Sequence, residues 1–286
     1  MADGTKIEWS EATWNPITGC SVVSPGCTNC YAMRLAGTRL AHHPSRAGLT
    51  RDTKAGPVWT GEVRLNESWL DQPLRWKRPR MIFVCAHGDL FHEDVPDEWI
   101  DRAFAVMALA PQHVFQVLTK RPERMRRYVR RASASGRFLL WRHPTLGHEI
   151  IDAAVAQWPT MFRHVWLGTS VEDQARAGRI WHLAHTPAAV RWVSAEPLLS
   201  PLDAVTAGIL GTDADGNPAV DWIVVGGESG PSHRPMNPDW ARALRDQCAG
   251  KVAFFMKQMA GKGPIPPDLM VREWPRMTPG IRARGR

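Results

Sequence analysis

Nowhere in this sequence does an apolar run approach the roughly 20 residues that cross a bilayer as a helix, which excludes a transmembrane segment of that kind. The opening MADGTK carries no apolar core of the sort a secretory leader needs, so a cytoplasmic, non-membrane protein is expected. Acidic residues are in deficit, 28 against 36 basic, and the net charge of +8 favours a polyanionic partner without naming one. Tyrosine is scarce: two residues stand against fourteen tryptophans, most of which should pack between helices and strands. A minority of those indoles remains available for stacking on bases. Cysteine is limited to five residues, too few and too unevenly placed for a disulfide framework.

What is present is concentrated in one stretch. Three of the five cysteines, Cys20, Cys27 and Cys30, fall within eleven positions in a C-x6-C-x2-C spacing, in a loop punctuated by Gly19, Pro25 and Gly26. Three thiols cannot all pair with one another, and without a secretory signal they read as metal ligands. Three thiolates on a four-iron cluster leave one iron open, the arrangement a catalyst needs. A Cys3His zinc site completed by His42 or His43 remains a second reading, and unligated core thiols a third.

Along the chain, short apolar runs alternate with longer amphipathic segments, the pattern of a parallel sheet with helical crossovers. Strands are expected at 13–18, 62–65, 81–86, 113–118, 164–168, 190–195, 222–225 and 252–256. Helices are expected at 29–41, 67–77 after Asn66, 96–109, from Pro122 onward, 149–157, from after Asp173 to His185, and 239–248. Eight strands predict an α/β fold, a TIM-like (β/α) barrel that is complete or slightly open, formed by residues 1–262 with a Pro/Arg-rich tail at 263–286.

In such a barrel the working face is built from loops at the strand C-termini. Those loops hold Asn66, Asp89, His92, Thr119, Lys120, Ser170, Glu172, Glu196, Glu228, Ser229, Lys257 and Gln258. Gly226 and Gly227 would let a ligand approach the backbone, with Glu228 and Ser229 offering an acceptor and a donor to an ammonium group and a ribose. Glu196 is equally readable as a buried acid paired with Lys257, and Asp89 and His92 as caps of the helix near Pro96. The helix from Pro122 carries Arg124, Arg126, Arg127, Arg130 and Arg131 just after Arg121. Arg121, Arg124, Arg127 and Arg131 are candidates for nucleic-acid contact, against the alternative of a solvated face.

The motifs WNPITGC, GCTNCYA, GDLFHEDVP, LTKRPERM, GTSVED, AEPLL, GGESGPSHRPM and FFMKQ together resemble the phage Gp37/Gp68 proteins, the three-Cys-motif or DUF5131 family. More broadly, a barrel with a three-cysteine loop after its first strand resembles the radical S-adenosylmethionine superfamily. That superfamily uses a C-x3-C-x2-C spacing with an aromatic before the third cysteine. Here the first interval is six residues, Asn29 holds the aromatic's place and Tyr31 follows. The GGE also follows a late strand rather than the second.

The resemblance implies a [4Fe-4S] cluster on Cys20, Cys27 and Cys30 whose open iron binds S-adenosylmethionine. Asn66, Asp89, Thr119, Lys120, Ser170, Glu172, Glu196, Gly226, Gly227, Glu228, Ser229 and Lys257 are the candidates for holding that cofactor. It also implies an electron donor such as flavodoxin or ferredoxin. Distant similarity to spore photoproduct lyase points to DNA, with a pyrimidine photolesion as the expected substrate. Cys85 and Tyr31 are the residues placed to manage a returning hydrogen atom, although a small buried core thiol is the plainer account of Cys85. Two alternatives stay open: a nucleic-acid-binding protein with a structural zinc or iron–sulfur site, and a radical enzyme that modifies tRNA or another substrate. A monomer is expected.

Overall fold

The computed structural model describes residues 5, 7–135, 161–213 and 215–276. The expected helix at 149–157 and the end of the expected tail lie outside them. The central sheet has seven strands: β1 (Ala12–Trp14), β6 (Met81–Val84), β7 (Val114–Thr119), β8 (Val165–Ser170), β9 (Val190–Ala195), β10 (Trp222–Gly226) and β11 (Ala253–Gln258). They are hydrogen-bonded in that order and every neighbouring pair is parallel. Because each crossover advances by one strand, the sheet curls into an open half-barrel of the TIM type, as the alternating pattern predicted.

Period-two alternation sets the two faces of the sheet. Val84, Phe115, Val117, Leu167, Val193, Val225 and Met256 point outward into the layer shared with the helices, among them α3 (Asp97–Leu109) and α4 (Pro122–Ser135). Phe83, Trp166, Trp192, Trp222, Val224 and Phe255 point inward. Trp9 closes that interior from below, meeting Phe83 at 4.8 Å and Trp192 at 5.2 Å, edge to face. Trp222 packs against Trp192 at 5.5 Å and stacks on Trp274 at 5.1 Å. Such pairs contribute about 0.5–1.5 kcal/mol each beyond their buried area. Indoles therefore fill the lower lumen, and the upper, C-terminal end of the strands is left for chemistry.

One expected barrel strand does not join the sheet. Within 62–65, only Arg64–Leu65 (β5) is extended, and it pairs antiparallel with β2 (Ile17–Thr18) in a separate ribbon. The cause lies in the first strand, where Pro16 has no N–H to give a ladder and splits the expected 13–18 run into β1 and β2. A second ribbon, β3 (Thr50–Arg51) with β4 (Val58–Trp59), occupies the connection that follows α1 (Tyr31–Gly37). The expected helix at 67–77 reduces to a 3-10 turn at Glu67–Trp69 and a single α turn at Gln72–Arg75, with Pro73 at its start. No described helix is long and apolar enough to cross a membrane.

Candidate cluster and cofactor site

The cysteine loop leaves β2 at Gly19, whose φ of +96° and approach to Glu62 both require glycine, since a Cβ there would stand 2.1 Å from the Glu62 carbonyl oxygen. A 3-10 turn at Pro25–Cys27 reverses the chain, and Cys30 is the N-cap of α1. Cys20, Cys27 and Cys30 are free thiols that line one cavity of about 150 Å³. Cys85, Tyr31, Asp89, Thr119, Lys120, Arg121 and Ser170 line it too.

Loops from four other strands tie the cysteine loop down. Arg121, after β7, donates to Ser21 Oγ at 2.6 Å and reaches Cys20 Sγ at 3.6 Å. His92, after β6, meets the same Ser21 hydroxyl at 2.9 Å. Glu172, after β8 and fully buried, accepts from the Gly26 N–H at 3.3 Å and from Arg179 at 2.8 Å. Glu228, after β10, accepts from Asn29 at 2.8 Å and pairs with Arg234, which in turn donates to the Pro25 carbonyl at 2.8 Å. Burial opposes charge on Glu172 and Glu228. Ser24 and Arg179 in the first case, and Arg234 and Asn29 in the second, outweigh it and hold both carboxyls below the usual range.

The thiols behave differently. Burial, reinforced by Asp89 and opposed by Arg121, pushes Cys20 up to about 12. Burial also raises Cys30. Without a metal both are protonated at neutral pH, and coordination is what would remove the protons. Among the described residues, no three His, Cys, Asp or Glu side chains converge at the spacing one ion demands. His42 is exposed, and His43 meets Ser45 at 2.7 Å and tilts on Trp69, so neither lines the cysteine cavity. Three thiols with no imidazole beside them in that cavity are not a Cys3His set, and their donor chemistry is the kind that holds an iron–sulfur cluster.

The other sequence candidates take separate places. Asp89 is a bracket: it accepts from Thr119 Oγ1 at 2.7 Å and from the N–H groups of Phe91 and Lys120 at 2.9 and 3.3 Å. Glu196 and Lys257 pair at 2.8 Å, with Ser194 donating to the same carboxyl at 3.3 Å. Gly226 admits that pair, because a Cβ there would stand 2.6 Å from Glu196 Oε1, and Gly227 admits Ala260, 2.5 Å away. Ser229 is exposed at the rim. Asn66 is elsewhere, buried and donating to the Asn15 carbonyl and Thr18 hydroxyl, and it lines no part of the cysteine cavity. Tyr31 is 40% exposed as a residue while its hydroxyl donates to Ala86 O at 2.7 Å, and burial of that hydroxyl raises its pKa. Cys85 is buried in a left-handed conformation, φ +56°, its thiol pushed up to about 12 by burial.

A second cavity, of about 600 Å³, adjoins the first and shares Val23, Lys120 and Arg121 with it. Of the arginines singled out from sequence, three are engaged in pairs. Arg121 holds Asp89 and Glu93; Arg124 donates to the His92 carbonyl and pairs with Asp97; Arg131 pairs with Asp97 as well. Arg127 is exposed.

A family described as a protein of unknown function, DUF5131, matches residues 4–273. The chain belongs to that family. No curated protein matches it. Two solved structures do: spore photoproduct lyase complexed with dinucleoside spore photoproduct, at 10% identity, and a mutant of that lyase with bound AdoMet and the same dinucleoside, at 11%. Each match has a TM-score of 0.43 and covers 88% of this chain and 64% of the other.

Several residues that hold the DUF5131 site were not singled out from sequence, notably Ser21, Asn29, Arg179 and Arg234. Their signal was only proximity to a nominated residue: Asn29 precedes Cys30, Arg179 follows Glu172 by seven residues and Arg234 follows Glu228 by six. Together they make the cysteine loop a rigid insert across the mouth of the half-barrel, with three soft donors facing one cavity and ionised carboxylates holding its backbone.

Proposed function

We propose that this DUF5131 chain is a radical S-adenosylmethionine enzyme of the Gp37/Gp68 type that acts on nucleic acid, and that its substrate is a pyrimidine photolesion in DNA. The observation that carries the reading is the convergence of three unpaired thiols on one cavity at the C-terminal mouth of a parallel half-barrel. Cys20, Cys27 and Cys30 would hold a [4Fe-4S] cluster. When bound, the cluster and S-adenosylmethionine supply a 5′-deoxyadenosyl radical able to abstract hydrogen.

The chain's own part is to hold, orient and shield. The ties from Arg121, Glu172 and Glu228 fix the loop before anything binds, so little ordering is left for the ligand to impose. The packed indoles below keep water out of the lumen. Ser170, beside the thiols, and the Glu196–Lys257 pair at the ends of β9 and β11 offer complementary charges and a hydroxyl for an amino-acid moiety. Cys85 lines the same cavity and retains its proton, which suits a thiol that returns a hydrogen atom to a substrate radical; the Tyr31 phenol is its neighbour in that wall. The excess of basic residues supports a nucleic-acid substrate.

The test is anaerobic reconstitution followed by a visible spectrum before and after S-adenosylmethionine. Cofactor cleavage by the reduced protein is then assayed, with ultraviolet-irradiated DNA and bulk tRNA as rival substrates. Thymine restored in the irradiated DNA supports the full reading. Cofactor cleavage without repair keeps the enzyme class and discards the substrate; no cofactor-dependent spectral change discards both.

A further inference from the structure

We infer that the arginine-lined cavity beside the cysteines is a track for the backbone of a nucleic-acid strand, and that the exposed tip formed by Val22 and Val23 supports an unstacked base at the entrance to the cysteine cavity. The inference rests on the reading above only in taking nucleic acid as the ligand.

The track is cationic by composition, with six Lys and Arg side chains in its wall against Glu93 and Glu123. Its free charge is narrower than its composition. Arg121 and Arg124 hold carboxylates and carbonyls of the loop after β6, Arg179 holds Glu172, and Arg176 holds Asp173. Lys120 and Arg127 have no carboxylate within ion-pair reach among the described residues, so these two carry the charge left for a ligand. Lys120 stands two residues before α4 and Arg127 in its second turn, so the two charges occupy separate places on the same wall.

The threshold between the two cavities sets one apolar residue, Val23, beside Lys120 and Arg121. Val23 lines both, and Val22 and Val23 are 49% and 41% exposed. They stand at the tip of the six-residue interval between Cys20 and Cys27. Two branched apolar side chains beside a cationic track are the pairing by which proteins wedge or support an unstacked base while gripping phosphates.

The test uses the full-length protein, fluorescence anisotropy over a salt series, and strands carrying 2-aminopurine. R127Q and K120Q are each expected to lower the slope of log K against log salt by about 0.7 to 0.9, with R127K retaining it and R131Q leaving it unchanged. V22S/V23S is expected to keep the slope and lose the rise in 2-aminopurine emission on binding. An unchanged slope in R127Q and K120Q overturns the track, and an emission rise that survives V22S/V23S overturns the tip. Binding of an acidic flavodoxin, but of no nucleic acid, with the same Arg127 dependence would make the cavity a protein dock and overturn both. S-adenosylmethionine cleavage without strand binding sinks this inference and leaves the enzyme reading standing; strand binding without cleavage does the reverse.

Discussion

Arg121 and Asp89, thirty-two residues apart, form an ion pair of 3.0 Å that is almost wholly buried beneath Cys20. Removing the guanidinium would leave the carboxylate in a low-dielectric site with only neutral donors, which costs about 3–5 kcal/mol when one partner of a buried pair is lost. Arg121→Met is therefore expected to lower the urea midpoint sharply and to loosen Ser21 and Cys20. Arg121→Lys, which keeps the charge but not the fork to Glu93 and Ser21, should lose less. Equal midpoints for Arg121→Met and the parent would show that the pair does not hold the loop.

Gly168 on β8 is the register partner of Trp192 on the neighbouring strand β9, and a Cβ at that position would stand 2.5 Å from the indole. The indole has no free direction to yield, because Trp9 and Trp222 pack on it. Gly168→Ala is expected to destabilise by about 1–3 kcal/mol through overpacking. Urea unfolding followed by tryptophan emission reads it, with a shifted midpoint and an unchanged slope.

The parallel order was legible because most of the strands are runs such as MIFV or WIVV whose residue types want a buried pleat. The failure at 62–65 came from taking two extended residues as a barrel strand when only their antiparallel partner, freed by Pro16, decides where they pair. The cysteines were legible by spacing alone. Their supports were not, since Glu172 reaching Gly26 and Glu228 reaching Asn29 are contacts across 146 and 199 residues. The arginine row on α4 was legible as charge, but Asp97 as a partner of Arg124 and Arg131 was not.

Two histidines give the fold an acid limit. His113 and His164 flank Phe115, both buried, with Nε2 facing the carbonyls of Pro73 at 3.0 Å and Met107 at 2.8 Å. Burial holds both below the ordinary 6.5, and burial with Arg46 nearby brings His87 to about 4. The unfolded chain takes up protons near pH 6.5 while the folded chain resists, so this stability is fully present above about 6.5 and is lost as pH falls towards the lowered folded values. Urea midpoints should decline from pH 7 to 5, and His113→Gln should flatten that decline. A decline of the same size in the variant would remove His113 from the account.

Substituting each of the five cysteines separates ligation from folding. Cys20→Ala, Cys27→Ala and Cys30→Ala should each abolish the brown colour and the bound iron of anaerobically reconstituted protein. Cys248→Ala, at the end of the helix Pro238–Cys248, and Cys85→Ala should retain both. The loop is held by Arg121, Glu172 and Glu228 without help from a metal, so chelator-stripped protein is expected to keep its far-ultraviolet circular dichroism and a cooperative melt. A structural zinc centre behaves in the opposite way, since there the metal supplies the folding energy. Loss of the fold on chelation, or iron retained in Cys27→Ala, would mean that these three thiols are not a cluster site laid on a pre-formed loop.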